Sequence, residues 1–217
     1  MTRINLSHDK NYLTQLNNKI SPHSTCNVTS AIMALYASRI GFDYPKDMQP
    51  EDYLASILIS KESYERMTKL YPWAVRDGYE PYEVHAMLQW GVNKLVGKEV
   101  DKFTTKSSFT EIIKNLIKGY ASLVSTRMTN YGHIVCVVGF ESNIRMDILN
   151  RMLFKEEKEV DASIIENFIF DDPYGNYLSS YTDRNGNNIK LPYSTFDDLT
   201  KEYNHVEKWA HLFYKYT

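Results

Sequence analysis

Two cysteines in 217 residues are too few for a disulfide framework. Charge is nearly balanced, with 25 basic and 27 acidic residues, so there is no basic footprint for nucleic acid and no polybasic membrane patch. No apolar run approaches the length of a bilayer span, and the first residues, Met1-Thr-Arg-Ile-Asn-Leu-Ser7, lack a signal-peptide core. The expectation is synthesis as a soluble cytoplasmic chain. Glycine is sparse, at 9 residues, whereas tyrosine numbers 17. Neither an internal repeat nor a low-complexity linker interrupts the chain, whose length suits one domain with a sizeable core. Nothing here bears on oligomeric state.

What is present is a cysteine at a transition. The segment Gln15-Leu-Asn-Asn-Lys-Ile-Ser-Pro-His-Ser-Thr-Cys26 is turn-rich and polar; Asn27 to Arg39 that follows has helical character, with Val28, Ala31, Ile32 and Leu35 on one side. A thiol at a helix N-terminus sits beside unpaired N–H groups and the positive end of the macrodipole, which favours the nucleophilic thiolate. The alternative is an inert thiol packing the helix start, but the polar neighbours His23, Ser24, Thr25, Asn27 and Thr29 argue against greasy burial.

Further along, residues 50–59 and 61–70 read as short helices, Tyr71-Pro72-Trp73 as an aromatic loop and Asp77-Gly78 as a turn. Pro81 opens a helix running through Leu95, with Val84, Met87, Leu88 and Leu95 as its core-facing stripe. A helix from Ser107 or Ser108 ends at Gly119. The character then changes to strand: Ala121–Thr126, a turn at Thr129–Gly132, and His133–Phe140. Residues 142–167 look charged, helical and solvated. A strand from Asn167 ends at Asp172-Pro173, Tyr177–Tyr193 reads as a hairpin around Asn185-Gly186, and Ser194 with Asp197 caps a helix. Trp209–Tyr216 is the last strand. Helices followed by an antiparallel sheet make an α+β chain.

His133 is the candidate base for Cys26. Strand alternation puts His133, Val135 and Val137 on one face and Ile134, Cys136 and Val138 on the other. Asp172 shares a face with Phe168 and Phe170 and is the candidate to orient the imidazole; Asp171 points the other way, as a solvated neighbour or turn acceptor. Gln15, eleven residues before the cysteine, is a plausible oxyanion donor beside the Cys26 N–H.

Taken together, Tyr12-Leu-Thr-Gln15, Thr25-Cys26-Asn-Val-Thr-Ser-Ala-Ile-Met33, Gly132-His133-Ile-Val-Cys-Val-Val-Gly139 and Asp172-Pro173-Tyr-Gly175 resemble papain-like cysteine peptidases. The branch they look most like is the one related to double-glycine leader peptidases of bacteriocin exporters, many members of which are stand-alone bacterial or phage domains. The resemblance implies a helical lobe, about 1–119, bearing Cys26, and an antiparallel sheet lobe, about 120–217, bearing His133 and Asp172. It implies no metal or other cofactor. Asn27 stands where many relatives have glycine, and the stretch Ile144–Glu166 exceeds a short strand connection, as a substrate-facing arm or a solvated helical excursion.

Two other readings compete. His23-x-x-Cys26 and His133-x-x-Cys136 have the makings of a zinc site, but His133 and Cys136 face opposite sides of a strand. Tyr71, Trp73, Tyr79, Tyr82 and Trp90 either line a peptide- or sugar-binding surface or pack the lobes together. The expected activity is cysteine-dependent amide hydrolysis. Peptidoglycan stem peptides come first as substrate, for a lytic or virion-associated enzyme. Leader peptides or host proteins come second, and a non-catalytic binding module third.

Overall fold

Helix α1 (Cys26–Ala37) is apolar almost all round, and that composition determines its place. Val28, Ala31, Ile32, Met33, Ala34 and Leu35 are all buried, so the helix lies inside the molecule against the sheet rather than on its surface. The computed structural model describes residues 1–201 and 207–215.

The sheet has seven strands: β1 (Thr2–Asn5), β2 (Asp101–Ser107), β3 (Ser122–Thr126), β4 (His133–Ser142), β5 (Asn167–Asp171), β6 (Ile189–Pro192) and β7 (Lys208–Phe213). Their order is β2-β7-β3-β4-β5-β6, with β1 pairing β4 off that path, and all pairs are antiparallel. The long central strand β4 meets β3 along His133–Val137 and β1 along Gly139–Ser142. Gly139 is needed where β1 crosses: a Cβ there would lie 2.2 Å from the Ile4 carbonyl oxygen.

Strand alternation separates two cores. Leu123, Ile134, Cys136, Val138 and Ile169 face α1, α2 (Pro50–Leu58) and α5 (Pro81–Val96). On the opposite face Val124, Val135, Val137, Phe168 and Phe170 meet α6 (Phe109–Ile117), α7 (Met146–Phe154) and α8 (Tyr193–Thr200). A smaller cluster of Met67, Ala74 and Met87 joins α5 to α3 (Lys61–Leu70) and α4 (Pro72–Asp77). The fold is α+β and papain-like, as expected. Among the described residues no helix is long and apolar enough to cross a membrane.

Several expectations need correction. Tyr71-Pro72-Trp73 is no loop, because Pro72 takes the first position of α4. Val84 leaves the core stripe of α5 and is exposed, while His85 is buried in its stead. Residues 142–167 are not a solvated excursion: α7 spans only part of them, and Leu149, Leu153, Val160, Ile164 and Ile165 complete the second core. The hairpin at Asn185-Gly186 does not form. Tyr177–Ser179 is a single 3-10 turn, and β6 pairs with β5 instead. The Ser194–Asp197 cap is absent as well, since α8 starts at Tyr193 and Asp197 pairs with Lys208 at 2.8 Å. Strands β1 and β2 join the sheet from before residue 119. Of the last expected strand, Tyr216 lies outside the described residues.

Candidate active site

The loop before Cys26 is tied down by side chains rather than by secondary structure. Asn18, buried, donates from Nδ2 to Thr25 Oγ1 at 2.9 Å and to Thr29 Oγ1 at 3.0 Å. The Asp52 carboxylate accepts from the N–H groups of Lys19 and Ile20. Thr25, at the N-cap, makes no side-chain cap to the helix. Its hydroxyl donates to the Ser21 carbonyl instead. The half-buried thiol sits at the first helical position, where the Cys26 N–H has no partner within the helix.

Antiparallel pairing brings the start of β4 beside the end of β5, so His133 meets Asp172. His133 Nε2 is 2.7 Å from Asp172 Oδ1, and both side chains are buried. That leaves Nδ1 of the imidazole for the hydrogen bond with Cys26. Asp172 Oδ1 also accepts from the Tyr174 N–H at 2.9 Å, and Oδ2 accepts from the Tyr181 hydroxyl at 3.3 Å. Its backbone is clamped in turn: the Asp172 N–H donates to the Gly186 carbonyl, and the Tyr12 hydroxyl bridges the Asp172 carbonyl and the Gly186 N–H.

The charges follow from these contacts. Burial alone pushes the Cys26 thiol up. The His133 hydrogen bond and charge, with the Ile134 and Asn27 N–H groups, outweigh it and bring the thiol below its ordinary value. Burial pulls His133 down, but hydrogen bonds and charge from Asp172 and Cys26 raise it to about 10. Both shifts favour a thiolate–imidazolium pair, which is the form needed to attack a carbonyl carbon.

Gln15 reaches the site by its backbone. It opens a 3-10 turn, and its N–H donates to the Pro173 carbonyl at 2.9 Å, next to Asp172. Its side chain, buried and not lining the cleft, donates from Nε2 to the Pro22 carbonyl at 2.8 Å, leaving one amide N–H uncommitted. Asp171 is no solvated neighbour: it is buried, accepting from Ser7 Oγ at 2.7 Å and from the Asn188 N–H at 2.8 Å. Cys136 is buried on the α1 face and its thiol is pushed well up by that burial. Among the described residues no three His, Cys, Asp or Glu side chains are arranged to hold a metal ion.

Cys26 and His133 open into a cleft of about 990 Å3. Tyr79, Tyr82, Trp209 and Tyr131 line it together with Ser125, Thr126 and Asn130. Of the five aromatic residues singled out by sequence, Tyr79 and Tyr82 are thus in the cleft. Trp73 is exposed, and Trp90 packs on the small Met67–Met87 cluster. Sequence reasoning quoted Tyr12 but gave it no role, and missed Asn18, Asp52 and Tyr181; these are generic residue types whose partners are set only by the fold.

A thiol at the N-terminus of a central helix, against a sheet-borne imidazole and carboxylate, defines the papain-like cysteine peptidase class. Within it, the chain belongs to the Peptidase_C39 like family, whose model matches residues 8–208. A search of curated proteins and a search of solved structures each return no significant match. The family is one of cysteine peptidases, so peptides are the coarse substrate class.

Proposed function

We propose that the protein hydrolyses an amide bond with Cys26 as nucleophile, His133 as acid and base, Asp172 as orienter and Gln15 as oxyanion donor. The observation that carries this reading is the buried His133–Asp172 contact of 2.7 Å beside a thiol brought below its ordinary pKa. The Cys26 thiolate attacks the carbonyl carbon, and the oxyanion takes hydrogen bonds from the Cys26 N–H and the uncommitted Gln15 N–H. The His133 imidazolium gives its proton to the leaving nitrogen as the C–N bond breaks. Neutral His133 then deprotonates water, which attacks the thioester and releases the acid and the thiolate.

Within peptides, our first choice of substrate is the peptidoglycan stem peptide, for a lytic or virion-associated enzyme released by lysis or carried in a phage particle. The mixed polar and aromatic cleft supports a peptide ligand. So does an adjoining apolar pocket of about 390 Å3, lined by Leu58, Met67 and Met87 and sharing Asn27, Tyr79 and Val84 with the cleft. Leader peptides or host proteins are the second reading on the same grounds.

The test is release of free amines from purified Gram-positive walls by wild type and Cys26→Ala, with fragments identified by mass spectrometry. Release that vanishes in the variant supports the wall reading and identifies the bond. No release from any wall type by folded protein removes it, and peptide libraries then test the second reading. Wall or peptide binding that Cys26→Ala leaves intact, with no amine release by either protein, speaks for a binding module.

A further inference from the structure

Between β5 and β6 the chain turns back over the His133–Asp172 pair, and it does so through an unfavourable backbone. Ser180 has a φ of 53° and Tyr181 one of 63°. The left-handed region crowds the Cβ of any L-residue, and for a side chain as bulky as tyrosine it is an outlier. Hydrogen bonds hold the turn, from the Ser180 N–H to the Tyr177 carbonyl and from the Tyr181 N–H to the Asn176 carbonyl, both 3.0 Å. What this conformation achieves is the place of one ring. Tyr181 meets the rings of His133 at 6.4 Å, Tyr174 at 5.1 Å and Tyr177 at 6.1 Å, each edge-on, and its hydroxyl donates to Asp172 Oδ2 at 3.3 Å.

The two oxygens of Asp172 have different partners. Oδ1 takes His133 Nε2 and the Tyr174 N–H, whereas Oδ2 has the Tyr181 hydroxyl as its one donor among the described residues. Asp172 has no exposed surface, so bulk water does not stand in for the phenol. That phenol keeps its proton, because burial first and then the Asp172 charge, with Tyr177 and Tyr174, push its pKa well up. Tyr12, on the Asp172 carbonyl, is likewise pushed up to about 12, mainly by burial, and the Arg184 guanidinium lies over the Tyr174 ring. The groups that raise His133 are Asp172 and Cys26.

The strength of the Tyr181 hydrogen bond depends on the state of His133. With His133 protonated, the Asp172 charge is balanced across the 2.7 Å contact. Once His133 has given its Nδ1 proton to a leaving nitrogen, the same carboxylate is a buried anion beside a neutral ring. A donor to an unbalanced anion contributes more than a donor to a balanced pair. The phenol therefore favours the neutral imidazole over the imidazolium, and works against the rise that Asp172 and Cys26 impose.

We propose that Tyr181 is a further positioning residue of the hydrolysis, whose hydroxyl holds the Asp172 carboxylate while His133 gives up its proton to the leaving nitrogen. The proposal rests on the Cys26–His133–Asp172 reading.

The test is an NMR titration of the His133 ring in Cys26→Ala, which removes the thiol and leaves the pair in place. Adding Tyr181→Phe keeps the ring and its edge contacts and deletes the donor. The acid dissociation constant of His133 should then fall about fivefold, moving its midpoint up by about 0.7. A midpoint that stays overturns the proposal, because the phenol then only packs. A midpoint that moves down also overturns it, because the phenol then only keeps Asp172 within reach of His133. Asp172→Asn in the same Cys26→Ala background tests the underlying reading separately. It should move the midpoint down, since the charge that raises His133 is gone. No movement there would remove the His133–Asp172 pair from the peptidase reading, and the proposal with it.

Discussion

His133 and Asp172 lie 39 residues apart in sequence, yet Nε2 of one is 2.7 Å from Oδ1 of the other, with both side chains buried. The contact presents the opposite ring nitrogen to Cys26, so one hydrogen bond orients the imidazole and helps to raise its pKa.

His133 therefore holds the Cys26 thiol below its ordinary value against the opposing effect of burial. Iodoacetamide should alkylate Cys26 with a midpoint below pH 9.0, the ordinary thiol value, with Cys136 unlabelled because burial pushes its thiol up. In His133→Ala only the burial and the two backbone N–H groups remain, so the midpoint of the rate should rise towards or past the ordinary value. Mass spectrometry of labelled peptides against pH reads both. On the alkaline side, peptidase activity should fall around pH 10 as His133 loses its proton. A wild-type midpoint no lower than that of free cysteine would remove the ion pair from the mechanism.

Asp172→Asn keeps an acceptor for the Tyr174 N–H but replaces the charge that raises His133. We expect kcat to drop about 10²–10⁴-fold with KM little changed, since the loss falls on the protonation state of His133 and not on the cleft. Steady-state kinetics on any cleaved peptide checks this. Loss confined to KM would assign Asp172 to binding.

Much of this site was legible because its members carry unusual local signals: a cysteine where polar loop becomes apolar helix, a histidine after a turn glycine, an Asp-Pro ending an apolar strand. What was not legible depends on partners. Strand β2, Asp-Lys-Phe-Thr-Thr-Lys-Ser, reads as polar because only its ends, Asp101 and Ser107, are buried. Asn185-Gly186 has a strong turn signature, yet its glycine serves a close approach to Asp172. His85, His211 and Asp101 show nothing in sequence; α5, β2 and β7 must pack before their side chains meet. The Ser194–Asp197 spacing misled because Asp197 faces Lys208, which is buried beside Phe109.

Gly186→Ala tests that close approach. A Cβ at this position would lie 2.1 Å from the Asp172 carbonyl oxygen and 2.7 Å from that of Gly175, both of them backbone atoms that cannot rotate away. The loop carrying Asp172 must shift. Destabilisation of about 2–4 kcal/mol by urea unfolding is expected. Activity should fall by roughly a hundredfold, because a displacement of about 1 Å at the orienting carboxylate misplaces the base. Unchanged activity would show that Asp172 tolerates movement and is not the orienter.

Gln15→Ala removes an amide that holds the Pro22 carbonyl and offers one further N–H. With Gln15 as an oxyanion donor, kcat should fall about 10²–10³-fold while iodoacetamide alkylation of Cys26 is unchanged, since alkylation forms no oxyanion. Equal loss in both reactions would make Gln15 a residue that shapes the loop and nothing more.

Asp171 gives a prediction on stability with the opposite sign from the usual carboxylate. Burial raises it from 3.8 to about 6, and the hydrogen bonds from Ser7 and the Asn188 N–H only partly offset that. The folded protein therefore holds the Asp171 proton more tightly than the unfolded chain does, and the favourable contribution is full below pH 3.8. It is lost as pH rises through about 6, so at neutral pH the ionised group contributes nothing favourable. On linkage grounds the span is about 2–3 kcal/mol. Asp171→Asn does not titrate and keeps an acceptor for the Asn188 N–H or Ser7 Oγ. Subtracting its urea-unfolding free energies from wild type across this window should leave a difference that declines with rising pH. A difference that grows with pH would mean that Asp171 is stabilised as the anion, with its two donors outweighing burial.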